Sequence, residues 1–592
     1  MIKEIIKNKL RKVLAGYDAG GLSVELEHPK DEAHGDYATS VALGLAKKLG
    51  RSPMEIAKEI VSKLGAIEGV AKIEVAAPGF VNFTLTDQAI LGAMSANVGP
   101  NSGQNKRKVI VEYSSPNIAK PFSIGHLRST IIGDAVANLL EATGWQVFRD
   151  NHLGDWGTQF GKEIYAIKNF GDEAAIEQAA EPVKELVALY VKFHEEAETD
   201  PTLEDAARAW SKKLEDGDAE ARRLWQKCVA WSWREFDRLY DRLGVKFTEN
   251  NGRGYGEAYF ENKMAPVVAE LKEKNLLKES EGAQLVFFEN DALPPLMIIR
   301  KDGATLYATR DLATDKFRLA HYGADIVVIN ETGIEQELHF QQLYKIEELL
   351  GWYKPGQRVH IKHGHWRFKD RKMSTRKGDV IWLEEVLNEA VTRARKLIST
   401  SGTARDLGEP EQKALAEAVG IGALKWNDLK SGPQNNITFD WDEVLNMDGN
   451  SAPYMQYAHA RACSILRAAG LAVTACPVAR ACRGLYGDLA RPATTSSARS
   501  DPAMLNEAER ALARRLGRFN ETVEHAAAHY APNTLCNYLY DLAQCFSNFY
   551  QTQPVLKAQS SERDLRLRLV AATAQVIKNG LKLLGIKAPA KM

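Results

Sequence analysis

A pattern between residues 109 and 149 restricts the fold of this chain more than any other stretch. Val109 to Tyr113 is an apolar run of strand length, and Trp145 to Arg149 is a second. Between them Leu127, Ile131, Ala135 and Leu139 recur every four residues, the spacing of one helical face, and Gly144 stands where such a helix would stop. Two strands joined by a helix run parallel in one sheet, and parallel sheets need helices on their faces. The expected fold class is therefore α/β, a doubly wound parallel sheet of Rossmann-like form. Such sheets bind ligands outside the carboxyl ends of their strands, where Ser114 to His126 falls.

At 592 residues the chain should hold several domains of roughly 100–200 residues each. No internal repeat is visible. Residues 1–105 form an expected N-terminal α+β domain. There Ser52-Pro53-Met54-Glu55 reads as a capping box that starts a helix carrying Ile56, Ile60 and Leu64 on one face. Gly79 to Leu85 reads as a strand, with Val81, Phe83 and Leu85 on one side and Phe80, Asn82 and Thr84 on the other. A polar linker, Asn101 to Lys108, separates it from the α/β domain, expected at 106–400 with a mainly helical insertion at about 162–290. The α/β pattern resumes at the apolar strand Ala324 to Ile329. Residues 401–592 read as all-α: Leu535, Leu539, Leu542, Phe546 and Phe549 keep a helical period, and Leu565, Leu569 and Val576 continue it. Pro492 to Ser497 reads as a surface loop.

Several function classes drop out. No stretch approaches the roughly 18 uncharged apolar residues of a membrane helix. The first residues, with Ile2, Ile5, Ile6 and Leu10 among lysines, form an amphipathic helix rather than a signal peptide, so a cytoplasmic protein is expected. The six cysteines include no C-x-x-C pair and read as reduced and structural. The formal net charge is zero, with 77 basic against 77 acidic residues, so any RNA surface must be a local basic patch. His363-Gly364-His365 could pair on a metal, but no third ligand is evident and no protein-bound metal is expected. Gly420-Ile421-Gly422 lies in a helical run with no strand before it, which suits helix packing and not a cofactor loop.

Ser123-Ile124-Gly125-His126 opens a helix directly after the first strand. Free N–H groups and the positive dipole end of a helix suit phosphate, Gly125 allows close approach, and His126 can donate a hydrogen bond. Lys120 can add charge. Standing alone, this motif is weak, and chance or a structural turn explains it better. Lys369 to Gly378, however, is a dense basic loop later in the same domain. Attack of a carboxylate on the α-phosphate of ATP needs positioning and positive charge above all, and two such loops supply them.

The segments Val111-Glu112-Tyr113-Ser114-Ser115-Pro116-Asn117-Ile118-Ala119-Lys120, Gly125-His126-Leu127-Arg128-Ser129-Thr130, Asn151-His152-Leu153-Gly154-Asp155-Trp156-Gly157 and Met373-Ser374-Thr375-Arg376-Lys377-Gly378 carry a resemblance to class I aminoacyl-tRNA synthetases, and within them to the arginyl-tRNA synthetases. The resemblance spans nearly the whole chain. It implies ligation of L-arginine to tRNA(Arg) through an arginyl-adenylate, with ATP and Mg2+ as substrate, in a monomer. It places ATP on Ser123, Gly125, Lys372, Met373, Ser374 and Thr375, with Lys120, His126 and Lys377 as catalytic groups. Ser123 stands where the family's first signature histidine is, and Thr375 where its second signature lysine is. Lys120 is then the expected source of the missing charge, with Lys377 as a second candidate. Other readings are a different class I synthetase or related nucleotidyltransferase, or an RNA-binding paralogue with a decayed site.

A guanidinium selects planar carboxylate acceptors and tolerates an aromatic face. Glu112 on the first strand, and Tyr307 and Asp311 four apart on one helical face, offer these; without the resemblance Asp311 would pass as a surface carboxylate. The resemblance carries the guanidinium contacts onto those three residues, and the α-amino and carboxylate contacts onto Ser115, Asn117 and Gln336, with Glu335 as the alternative to Gln336. An exposed Phe80 beside Asn82 could stack and read an RNA base, and these match the family's tRNA-elbow contacts; a second packed face is the competing explanation. Ala452 to Arg461 and Tyr538 to Ala543 resemble the family's anticodon-binding domain. There Arg514, Arg515 and Arg518 could face phosphate, or form an ordinary charged helix face.

Overall fold

Strand β1 (Tyr37–Thr39) joins β2 (Val70–Ala76) and β3 (Phe80–Leu85) in an antiparallel sheet ordered β1-β3-β2. The computed structural model describes residues 2–17, 23–96, 106–289, 292–303, 305–368, 381–401, 406–471 and 505–592. Val81, Phe83 and Leu85 are buried, and share a core with Ile6 and Leu10 of helix Ile2–Leu14 and Ile56 and Ile60 of helix Pro53–Leu64. Asn82 does not stand on an open face beside Phe80. It is only 7% exposed. The reason is its central strand: Ala38 of β1 pairs with it on one side and Glu74 of β2 on the other. Phe80, at the start of the strand, is half-buried. The expected capping box is not formed either: the Ser52 side chain makes no cap bond, and its carbonyl accepts the Ile56 N–H instead.

The parallel sheet is present. Strands β4 (Lys108–Glu112) and β5 (Gln146–Asp150) flank helix Ile124–Ala142 in sequence and pair in parallel register, Val109 with Val147 and Ile110 with Phe148. The helix buries Leu127, Ile131, Ala135 and Leu139 as its spacing requires, and also Ile132, Val136 and Ala137. Helices from beyond residue 409 pack against it, so it has little solvent face left.

Five helices then run from Gln159–Phe170 to the long Ala219–Leu243. A small antiparallel sheet of β6 (Leu277–Ser280), β7 (Ala283–Val286) and β8 (Leu296–Ile299) follows. The mainly helical reading missed it, because four-residue strands show too little alternation to compete with a helical period. Strands β9 (Val327–Gly333) and β10 (Arg358–His363) complete the main sheet, whose order is β10-β9-β4-β5. Strand β9 begins later than the apolar run Ala324 to Ile329 and continues through Asn330, Glu331 and Thr332. Lying between β4 and β10, it holds these polar residues extended and buries Asn330 and Glu331 at the carboxyl edge. Strands β11 (Trp366–Phe368) and β12 (Ile437–Phe439) pair beside that edge.

The last part is helical. Leu535, Leu539, Leu542, Phe546 and Phe549 are buried along helix Pro532–Thr552. Gly420 is a packing glycine: a Cβ there would lie 2.7 Å from the Ala390 carbonyl carbon on helix Leu383–Ser401. Arg514 and Arg515 are not an open phosphate surface. Arg514 Nε lies 2.7 Å from Asp36 of the N-terminal region, and Arg515 pairs with Asp541 at 3.3 Å. Arg518 is half-buried at the turn between two helices. Among the described residues no helix is long and apolar enough to cross a membrane. The Pro492 to Ser497 segment lies outside the described residues.

Candidate active site

Beyond β4 the backbone turns sharply, with φ of 58° at both Ser114 and Ala119. Neither is glycine, so the turn needs support. Ser129 Oγ accepts the Ser114 N–H at 2.9 Å, and Ser232 Oγ on helix Ala219–Leu243 accepts the Ala119 N–H at 2.9 Å. This loop delivers Lys120, half-buried, near the buried carboxyl of Glu163; burial lowers the ammonium pKa and Glu163 works against that.

Ser123 caps helix Ile124–Ala142 through its backbone. Its N–H donates to His126 Nδ1 at 3.1 Å. An N–H can only donate, so Nδ1 is unprotonated and the ring proton sits on Nε2. Burial, with the nearby His363, lowers the imidazole pKa to about 4. His126 is thus a neutral donor. It lines a cavity of about 830 Å³, together with Ser123, Gly125, Gly333, Gln336 and His363. A Cβ on Gly125 would meet only Ser123 Oγ, at 3.4 Å, so the backbone is open to a ligand there. Across the cavity, His363 Nδ1 lies 2.8 Å from buried Glu331. Burial lowers the His363 pKa but Glu331 outweighs it, so the net shift is upward. His363 thus partners a carboxylate, while His365 is exposed.

Lys372, Met373, Ser374, Thr375 and Lys377 lie outside the described residues. The residues flanking that segment are at the cavity. Arg367 lines it, the Ile381 carbonyl accepts the Ile124 N–H at 3.1 Å, and Trp382 bridges to Ser123.

The proposed guanidinium acceptors are Glu112 at the end of β4, and Tyr307 and Asp311 on helix Tyr307–Tyr322. Glu112 is buried and already engaged: Arg318 contacts it, as it does Asp150 at 3.0 Å. Burial raises its pKa, but Arg318 and His152 outweigh that and hold the carboxyl at about 2. Asp311 is more accessible. Its Oδ2 lies 2.6 Å from His339 Nε2, and its Oδ1 3.8 Å from His152 Nε2. Tyr307, one turn earlier on helix Tyr307–Tyr322, is 57% exposed and holds its ring 4.7 Å from His339. His152 links the two halves: its N–H donates to Ser115 Oγ at 3.2 Å, and Ser115 lines the cavity. Asn117 is exposed and packs on Gly154, where a Cβ would lie 1.8 Å from the Asn117 Oδ1. Gln336 and Glu335 both line the cavity. Phe80 and Asn82 are not part of this cluster; they belong to the N-terminal sheet. His152 and His339 were not singled out in the sequence. His152 sits inside a motif segment, which is a signal of sorts; His339 has none.

His126 at a helix N-terminus opens on the cavity, and His152 connects the cavity residue Ser115 to Asp311; comparison with known proteins identifies the family. Residues 89–441 match the family model for the catalytic domain of class I tRNA synthetases (R). Residues 1–85 match the arginyl tRNA synthetase N-terminal domain and 455–592 the DALR anticodon binding domain. The chain belongs to the arginyl-tRNA synthetase family. An arginine–tRNA ligase of Enterococcus faecalis is 41% identical over 599 residues, with both chains fully covered. One from Clostridioides difficile is 37% identical, covering 100% of this chain and 99% of its own. The family fold is that of the Thermus thermophilus arginyl-tRNA synthetase, with a TM-score of 0.80, 24% identity and full coverage of both chains.

Proposed function

We propose that this chain ligates L-arginine to tRNA(Arg) in two steps at the carboxyl edge of the main sheet. A carboxylate oxygen of arginine attacks the α-phosphorus of Mg2+-bound ATP, the bond to the bridging oxygen breaks, and pyrophosphate leaves. A ribose hydroxyl of tRNA then attacks the adenylate carbonyl, and AMP departs. Our reading is of a cytoplasmic monomer.

The observation that carries this is the tautomer of His126. Neutral His126, which lines the cavity beside the exposed Gly125 backbone, can donate from Nε2–H to a phosphoryl oxygen throughout the displacement without exchanging a proton. Lys120 approaches from the supported loop and supplies the cation that Ser123 lacks. Lys372, Met373, Ser374, Thr375 and Lys377 act on the same phosphates. The guanidinium lies on Asp311 and the Tyr307 ring, displacing His339, while the Glu112 carboxylate belongs to the same guanidinium site. Ser115, Asn117 and Gln336 take the α-amino and carboxylate groups. Phe80, half-buried, is retained as the tRNA contact of the N-terminal sheet; Asn82 supports it from within the sheet.

ATP–pyrophosphate exchange with each amino acid, with and without tRNA, tests the reading. Exchange that needs arginine and tRNA is the expected result. Exchange driven by another amino acid, or none, would overturn it.

A further inference from the structure

A second cavity, of about 720 Å³, lies away from the active site. It is lined where helix Ala219–Leu243 ends, at Leu243, Gly244 and Lys246, and where helix Ser560–Leu583 ends, at Lys582, Ile586 and Lys587. Its cations are Arg149, Arg242, Lys246, Lys578, Lys582 and Lys587; its carboxylates are Asp134 and Glu417 alone. Both carboxylates are already taken, Asp134 by Arg149 at 2.8 Å and Glu417 by Arg242 at 2.8 Å. The four lysines are exposed and form no ion pair among the described residues.

Lysines near a helix carboxyl end often serve only to offset its dipole. Here another group does that. Buried Lys425 donates from Nζ to the Leu243 carbonyl at 2.6 Å and to the Gly585 carbonyl at 2.8 Å, closing both helix ends from below. The ammonium groups on the rim are therefore surplus. On a chain of zero formal net charge, four unpaired cations around one cleft make a local anion-attracting field. Arg514 and Arg515, for which the sequence leaves open a phosphate surface or an ordinary charged face, are consumed in internal pairs.

We propose that this cleft binds backbone phosphates of the tRNA, with Lys578 and Lys582, one helical turn apart, and Lys246 as phosphate contacts. The inference rests on the functional reading above. It places an RNA contact between the catalytic sheet and the C-terminal helices, outside the substrate cavity.

The test is tRNA binding to the full chain across a salt series, for wild type, K246A/K578A/K582A and K246R/K578R/K582R. Each lost phosphate contact lowers the slope of log affinity against log salt by about 0.7 to 0.9. The alanine variant is expected to lose about two units of slope and about tenfold in affinity at moderate salt, with the KM values for ATP and arginine unchanged. The arginine variant keeps the slope. If the wild type charges tRNA with arginine and the alanine variant keeps wild-type slope and affinity, the proposal falls while the functional reading stands. A wild type that charges no tRNA with arginine overturns the functional reading itself. If inorganic tripolyphosphate binds wild type but not the alanine variant, and tRNA binding is unaffected, the cleft is a small-anion site and the proposal is wrong.

Discussion

The Ala119 N–H donates to Ser232 Oγ at 2.9 Å, and that hydroxyl donates onward to the Cys228 carbonyl at 2.8 Å. The inserted helix thereby holds a loop residue in the left-handed region, directly before Lys120. Ser232→Ala would leave a buried N–H without a partner, at a cost of about 1–3 kcal/mol, which the loop can relieve only by moving Lys120. The kcat of arginine-dependent exchange should fall about tenfold, the kinetic equivalent of 1.4 kcal/mol, with the arginine KM little changed. Ser232→Thr keeps the oxygen and should recover most of the loss. Steady-state exchange kinetics check this; an S232T variant as slow as S232A would show that packing, not the hydrogen bond, positions Lys120.

His126 should act without titrating. Its pKa of about 4 leaves it neutral throughout the useful pH range. His126→Gln retains an N–H donor and should keep more activity than His126→Ala, by about tenfold or more. The pH–rate profile should show no break from this residue between about pH 6 and 8. The stability effect has a definite sign. A folded pKa below the ordinary 6.5 means the unfolded chain binds the proton first, so this group's contribution falls as pH drops from 6.5 toward about 4. An NMR titration of the ring that gave a midpoint near 6.5 would sink the reading of His126 as a group that stays neutral on acidification.

Asp311 and Glu112 should separate in kinetics. Asp311 is partly accessible and contacts His339 and His152, so Asp311→Ala should raise the arginine KM about 100-fold and leave the ATP KM nearly unchanged. Glu112 is one of three carboxylates around the buried Arg318, with Asp150 and Asp315, so Glu112→Ala removes part of that charge balance and should also cost about 1–3 kcal/mol in folding stability. Exchange assays and urea unfolding on both variants decide it. Equal effects of Asp311→Ala on both KM values would remove Asp311 from the guanidinium site.

The parallel sheet could be read from the sequence because helix and strand periods between residues 109 and 149 are long enough to distinguish. The half of the cavity at the helix N-terminus was legible for the same reason: Ser123 to His126 is continuous in sequence and sits at a strand-helix junction. The other half was not. Asn330 and Glu331 extend β9 past its apolar run, and only a central position between two strands keeps such residues extended. Asn82 alternates correctly with Val81 and Phe83, yet alternation says which face a residue is on and not whether neighbouring strands cover it. His339 meets Asp311 and Tyr307 from a separate helix, and that proximity exists only after folding. Arg514 reads as surface charge until the N-terminal region brings Asp36 to it.

The same long-range packing gives the molecule an acid-sensitive joint. Glu521, on helix Phe519–Ala528, accepts from Lys3 at 2.6 Å and from the Tyr37 hydroxyl at 2.7 Å, and lies 3.3 Å from His28. All three partners come from the N-terminal region. Burial raises the carboxyl pKa, but His28 and Lys3 outweigh it and bring it to about 2, against an ordinary 4.5. A depressed carboxylate stabilises the folded form fully above pH 4.5 and loses that contribution as pH falls toward about 2. The N-terminal sheet should therefore loosen from the C-terminal helices on acidification before the helices melt. Hydrogen exchange should show faster exchange in residues 2–85 in that window, while helix Pro532–Thr552 stays protected. Glu521→Gln should loosen the joint at neutral pH and flatten its response to acid. If the variant's N-terminal exchange tracks the wild type at every pH, then Glu521 does not hold the joint, and Arg510 with Asp87 and Arg514 with Asp36 carry it instead.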